Sequence, residues 1–173
     1  TRQHVIAEHH VDPARVVAIP RGVDLDVFDR ARITANEISA IRASWGLAAD
    51  DTRVVLIAPA RLTRWKGQGV LIEALALLHA RRPNLVKAII AGDAQGRVTY
   101  VQELNAAIQR AGLQQTVAIV GHMGHMAQAF AASDMAVFPV IEPEAFGRGA
   151  VEAQAMGLPV IASSLGGYTE TVV

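Results

Sequence analysis

Short runs of apolar, mostly β-branched residues recur along the chain and alternate with longer segments of mixed polarity. The runs are nearly continuous and do not alternate with polar residues, which is typical of strands buried on both faces of a parallel sheet. They predict six strands, at residues 16–20, 54–59, 86–91, 117–120, 135–139 and 160–162.

The segments between these runs carry helix signals. Thr34 and Glu37 have the spacing of a capping box, so a helix should begin there, and Gly46 is placed to end it. Two further helices are predicted by apolar stripes, at Val70, Leu71, Ala74, Leu75 and Leu78, and at Val101, Leu104, Ile108 and Ala111. Another should cover residues 148–156 and end at Gly157. Alternating strands and helices predict a right-handed, doubly wound α/β domain with a Rossmann-like parallel sheet.

Composition limits the function classes. The 173 residues suit one domain, and 51% of them are hydrophobic, enough for a sizeable core. Equal numbers of basic and acidic residues, 16 each, argue against a nucleic-acid partner. There is no cysteine, and no apolar run approaches the roughly 20 residues of a membrane span, so we expect a soluble, cytoplasmic protein. Since the chain starts at Thr1 and stops within a helix-like pattern, we expect both ends to continue in a longer protein.

Ligands of doubly wound sheets bind beyond the carboxyl ends of the strands, where one segment stands out. Glu144 and Glu152 are separated by seven residues that include Gly147 and Gly149. Glycine lets a ligand approach the backbone, a helix start suits an anion, and carboxylates accept hydrogen bonds from sugar hydroxyls. The spacing is equally compatible with two solvated acids at a helix N-terminus.

The loop after residues 54–59 carries Arg61, Arg64 and Lys66 just before a predicted helix. Cations oppose the helix dipole at that end, so a bound anion would explain them. Arg offers a planar fork to phosphate and Lys a point charge, so Arg61 and Lys66 suit a diphosphate. The alternative is a solvated basic loop, and for Arg64 a side chain that only reaches water is the favoured interpretation.

These motifs, taken together, resemble the C-terminal domain of the retaining GT-B glycosyltransferases of family 4 (group 1). The resemblance runs along nearly the whole chain. Its elements are Gly22-Val23-Asp24 with Phe28, Arg61-Leu62 with Lys66-Gly67, the two glutamates, Gly157-x-Pro159-Val160, and Gly166-Gly167-x-x-Glu170. The resemblance implies the donor half of an enzyme that transfers a glycosyl group from a UDP-, GDP- or ADP-sugar to an acceptor hydroxyl. The N-terminal acceptor domain would lie outside this chain, which alone should be inactive in transfer.

The resemblance also implies residue roles. Glu144 would face the hydroxyls of the transferred sugar, and Glu152 would hold the ribose. Arg61 and Lys66 would neutralise the diphosphate leaving group, with backbone N–H groups of Phe146 and Gly147 reaching the donor. The loop at Gly121, His122 and Met123 would line the base pocket largely through its backbone. Any membrane contact would come through the full-length enzyme.

Two residues depart from the family pattern. Arg21 replaces the usual Asn before Gly22, and Tyr168 follows Gly167 where a small residue or proline is frequent. Neither is expected to touch the diphosphate clamp, the pair formed by Arg61 and Lys66, although Tyr168 could alter the sugar pocket.

No cofactor or metal is predicted. Asp24-Leu-Asp26 has an Asp-x-Asp pattern, but it falls in the opening loop of a family that generally works without metal. His122 and His125 lack an evident third ligand. Two other functions stay open. A nucleotide-sugar epimerase of the same fold should lack the Glu144 to Glu152 pattern in this form, and a non-catalytic α/β partner-binding module should bind no nucleoside diphosphate.

Overall fold

The computed structural model describes residues 2–19 and 21–173 as alternating helices and strands. The helices are α1 Arg2–His9, α2 Ala35–Ser44, α3 Gln68–Arg81, α4 Val98–Arg110, α5 Met126–Ala131, α6 Arg148–Ala155 and α7 Tyr168–Thr171. The strands are β1 Val54–Pro59, β2 Val86–Ala91, β3 Val117–Gly121, β4 Met135–Phe138 and β5 Val160–Ala162.

The five strands form one sheet in the order β3-β2-β1-β4-β5, and each neighbouring pair is parallel. The predicted α/β class and parallel sheet are confirmed, with five strands in place of about six. The prediction of a strand at residues 16–20 was wrong for residues 16–19, which join no sheet, while Pro20 lies outside the described residues. A β-branched run becomes a strand only beside a partner, and Val17 and Ile19 are 78% and 87% exposed.

Two hydrophobic clusters cover the two faces of the sheet. One contains Ile57 and Ile89 together with buried residues of α5 and α6, such as Phe130 and Ala153. The other contains Ala58 and Ile90 with residues of α3 and α4. Neighbouring residues of one strand therefore enter opposite clusters, which explains why the strand runs are continuously apolar.

The helix signals are largely confirmed. Thr34 and Glu37 form the capping box of α2, and Gly46 follows the helix with a left-handed φ of 74°. The predicted stripe of α3 is wrong in part, because Val70 and Ala74 are exposed while Leu71, Ile72 and Leu75 are buried. No helix that the structure describes is both long enough and apolar enough to cross a membrane.

Gly67 brings the loop after β1 against the loop after β4. Its φ is 74°, and a Cβ at this position would overlap the carbonyl group of Pro139. Next to this approach, the Ile141 N–H donates to the Trp65 carbonyl at 2.9 Å. A side chain at Gly67 would push the two loops apart, so the position requires glycine for both space and conformation.

We predict that Gly67→Ala lowers the free energy of unfolding by at least about 2 kcal/mol, because a left-handed alanine costs about 1 kcal/mol and the overlap with Pro139 adds to it. Urea denaturation measures the loss. Gly46→Ala is the matched control, since Gly46 has the same φ of 74° with open space around its Cβ position. Equal losses in the two variants would show that the contact with Pro139 contributes nothing.

Candidate functional site

A cleft of about 640 Å³ lies at the carboxyl edge of the sheet. The loops after β1, β2, β3 and β4 surround it, and the start of α6 closes one side. Its charged lining residues are Arg21, Arg61, Lys66, Asp93, Glu144, Arg148 and Glu152. Four cations thus face three carboxylates, an arrangement suited to a ligand with both anionic and hydroxyl groups.

Lys66 and Glu144 form an ion pair across the cleft, through Nζ of the lysine and Oε2 of the glutamate. Both side chains are largely buried, at 14% and 18% exposure. The ammonium also lies 4.0 Å from the centroid of the Trp65 ring, a cation–π contact. The loops after β1 and β4 therefore each supply one charge of a shielded pair, and Lys66 is not part of a solvated basic loop.

The backbone of Glu144 is fixed by the segment before α7. Glu144 forms an isolated parallel bridge with Gly166, and the Gly167 N–H donates to its carbonyl oxygen at 2.6 Å. A Cβ on either glycine would collide with backbone atoms of Glu144 or Phe146. The two adjacent glycines thus allow this segment to pack directly against the backbone of Glu144 and Phe146.

Glu152 lies in the second turn of α6 and faces the cleft with a side chain that is 12% exposed. The Arg148 Nε donates to its Oε1 at 3.0 Å from one turn earlier, while most of the arginine stays in solvent. Burial raises the pKa of Glu152, and the Arg148 charge opposes this shift only in part. The carboxylate is therefore held in a place that does not favour its charge.

Two hydrogen bonds fix the loop that carries Arg61. The Gln68 side chain, which is buried, donates through Nε2 to the Arg61 carbonyl at 3.0 Å. The Leu62 N–H donates to the Asp93 carbonyl at 3.0 Å in the loop after β2. The Arg61 side chain is exposed and lines the cleft, whereas Arg64 turns away and pairs with Glu103 at 2.7 Å.

Most of the residues predicted to form the site meet in this one cleft. Its lining contains Arg61, Lys66, His122, Met123, Glu144, Gly147 and Glu152. Gly121 and Phe146 were also predicted, but they are not in the lining. The Gly121 carbonyl accepts a hydrogen bond from the Gly92 N–H, and the Phe146 carbonyl accepts one from the Thr171 hydroxyl.

Several lining residues were missed. Asp93 and Gln95 follow β2, and the rule about carboxyl ends of strands would have found them. Arg148 stands four residues before Glu152, a spacing that places both on one helix face. Arg21 and Tyr168, which were expected not to touch Arg61 or Lys66, line the same cleft as these two residues.

A second compartment of about 600 Å³ continues past Arg148 and Glu152. The segment from Gly22 to Phe28 and the start of α5 form its walls. The Asp24 carboxylate accepts hydrogen bonds from the N–H groups of Asp26 and Val27, and Asp26 pairs with Arg32 at 2.8 Å. The Asp-x-Asp carboxylates are thus engaged in local structure.

Comparison with known families agrees with this architecture. The family model "Glycosyl transferases group 1" matches residues 40–173. The match spans well over half of the chain and includes β1 to β5 and the cleft loops that follow the strands. The chain therefore belongs to the glycosyl transferases of group 1, and the resemblance stated above is confirmed.

Individual relatives are longer than this chain. A D-inositol 3-phosphate glycosyltransferase of Jonesia denitrificans is 35% identical over 165 residues, which are 93% of this chain and 38% of that protein. A glycosyltransferase structure from Rickettsia africae is 32% identical, with a TM-score of 0.92 over 99% of this chain and 44% of that one. HepE of Anabaena, solved in complex with UDP and glucose, is 37% identical, with a TM-score of 0.77 over 88% of this chain and 39% of that chain. The chain thus spans about two fifths of the length of these relatives.

We predict that Glu152→Gln stabilises the protein at neutral pH but not in acid. The pKa of Glu152 in the folded protein is raised above 4.5, the ordinary value for a glutamate. The folded protein therefore binds a proton at Glu152 more tightly than the unfolded chain does. Stability that is present below that value is lost as the pH rises through the folded-state pKa, and glutamine avoids the loss. Thermal unfolding from pH 4 to pH 8 should show curves that diverge as pH rises. Curves that stay parallel would contradict the assignment.

Proposed function

We propose that this chain binds a nucleotide diphosphate sugar and is the donor half of a retaining glycosyltransferase. The observation that carries the proposal is that four cations, three carboxylates and the start of a helix line one cleft at the carboxyl edge of the sheet. A nucleotide diphosphate sugar matches this lining, because its anionic diphosphate joins two groups that carry hydroxyls, the sugar and the ribose. Family membership supports the same interpretation.

The diphosphate would lie between Arg61, Lys66 and the start of α6. Gly147 precedes α6 with a φ of 82° and, as a glycine, has no side chain that could cap the first N–H groups of the helix. Such a helix start favours an anion. As the glycosidic bond breaks, the leaving diphosphate gains negative charge, which fixed cations and N–H groups stabilise in place.

The hydroxyl groups of the donor would meet the two glutamates. Glu144 would bind the transferred sugar and Glu152 the ribose, with His122 and Met123 beside the base. The ion pair between Lys66 and Glu144 suits the protein without donor, because each charge neutralises the other in a poorly hydrated place. A bound donor would take over both partners, the lysine through phosphate and the glutamate through sugar hydroxyls.

The remainder of the enzyme would supply the binding site for the acceptor. Positioning of reactants contributes roughly 7–11 kcal/mol to lowering a barrier, and a second domain facing the cleft would provide it. This chain alone would therefore bind donor but not transfer sugar. Uridine is the first base to test, since the HepE structures contain UDP. The full-length enzyme would work in the cytoplasm, without a cofactor or metal, and reach a membrane only through its other parts.

We predict that UDP, GDP or ADP, with the matching sugars, raises the melting temperature of this chain. A thermal-shift screen with all three nucleotides measures it, because a ligand that binds only the folded state stabilises it by mass action. The shift in melting temperature should be clearly larger for one of the three bases than for the other two. The absence of a shift with every nucleoside diphosphate at millimolar concentration would favour a non-catalytic partner-binding module.

We predict that Lys66→Ala and Arg61→Ala each weaken binding of the nucleoside diphosphate about tenfold or more, and binding of the nucleoside far less. Hydrogen bonds to charged groups contribute roughly 1.5–3 kcal/mol each, and the nucleoside lacks the diphosphate. Calorimetry measures the affinity for UDP, and NMR titration measures the affinity for uridine. If the thermal-shift screen selects guanosine, GDP and guanosine replace them. Arg64→Ala is the matched control, since Arg64 leaves the same loop toward Glu103. Equal losses for both ligands would refute the clamp.

A further inference from the structure

Tyr168 occupies a position at the junction of three parts of the site. It begins α7, is 4% exposed, and packs its ring on Phe138 with centroids 5.6 Å apart. On its other side the ring lies so close to Gly147 that a Cβ there would overlap it. The aromatic ring therefore supports the start of α6 from the side of β4.

The hydroxyl group of Tyr168 is not used by this packing. In the described part of the chain no side chain or backbone group forms a hydrogen bond with it. In residues 2–19 and 21–173, the Thr63 hydroxyl is the only fully buried side-chain polar atom without a hydrogen-bond partner. The Tyr168 oxygen is therefore not fully buried. Tyr168 lines the cleft, and its hydroxyl oxygen keeps some exposure.

The surroundings keep this hydroxyl protonated. Burial and the negative charge of Glu144 both raise the pKa of Tyr168. A neutral phenol beside a carboxylate offers one donor and an acceptor site, which is the complement of a sugar hydroxyl. A polar group so deeply set gains most from a partner that also excludes water.

We propose that Tyr168 is a specificity-determining residue for the sugar part of the donor, with its hydroxyl bonded to a sugar hydroxyl beside Glu144. The inference rests on the proposed function, because it requires a nucleotide sugar in the cleft. It adds a residue that belongs neither to the Glu144 to Glu152 pattern nor to the diphosphate clamp of Arg61 and Lys66.

Tyr168→Phe tests the proposal because it keeps the ring and removes only the hydroxyl. Calorimetry on this chain compares UDP-glucose with UDP, or GDP-mannose with GDP if the thermal-shift screen selects guanosine. We expect affinity for the nucleotide sugar to fall roughly fivefold, the effect of one lost hydrogen bond, and affinity for the nucleoside diphosphate to stay within about twofold. The melting temperature should not fall, since the packing on Phe138 and Gly147 remains.

Tyr100→Phe is the matched control. Tyr100 is the other tyrosine of the chain, and its hydroxyl bonds to Gln68 outside the cleft, so the ratio of the two affinities should not change. An unchanged ratio in Tyr168→Phe would limit Tyr168 to packing and overturn the inference while donor binding stands. Equal losses for both ligands would place the hydroxyl at the diphosphate and overturn it too. Wild-type protein that binds neither ligand would remove the proposed function and the inference together.

Discussion

The cleft depends on the close passage of two backbones, the loop after β1 at Gly67 and the loop after β4 at Pro139. Because no side chain separates them, Lys66 is brought within bonding reach of Glu144, two residues that are 78 positions apart in the chain. The Trp65 carbonyl and the Ile141 N–H fix the two loops in register. The charges of the site are thus positioned by backbone contacts, which tolerate less variation than contacts between flexible side chains.

The same principle recurs around the cleft. Gly92 lies against the Ala60 carbonyl, which brings the loop after β2 to the loop that carries Arg61. Gly166 and Gly167 lie against the backbone of Glu144 and Phe146. Glycines that a sequence motif associates with a ligand therefore have an internal role here, because they let neighbouring loops share one edge of the sheet. Removing such a contact would displace a charged side chain that the substitution itself does not touch.

The sequence alone predicted most of the fold and part of the site, for identifiable reasons. β1 and β2 were predicted at the observed bounds, since burial on both faces produces an unbroken apolar run. Residues 16–19 have a similar composition but join no sheet, because an apolar run does not by itself provide a partner strand. The ion pair between Lys66 and Glu144 was not predictable, since the two residues belong to separate motifs and meet only through the order β1-β4 in the sheet. Tyr168 was noticed as a departure, but its approach to Gly147 follows from three-dimensional packing.

The polar groups of the cleft form hydrogen bonds and ion pairs with one another, but these contacts do not use all of their bonding capacity. Lys66 and Glu144 pair together, Glu152 keeps only a solvent-exposed arginine, and the Tyr168 hydroxyl has no partner among the described residues. A domain selected for stability alone would replace such groups with apolar side chains of similar size. Their presence at one edge of the sheet, next to a helix start without a side-chain cap, is better explained by a ligand that supplies the missing partners. Burial raises the pKa of Glu152, so a hydrogen-bond donor in the cleft would stabilise its charged form.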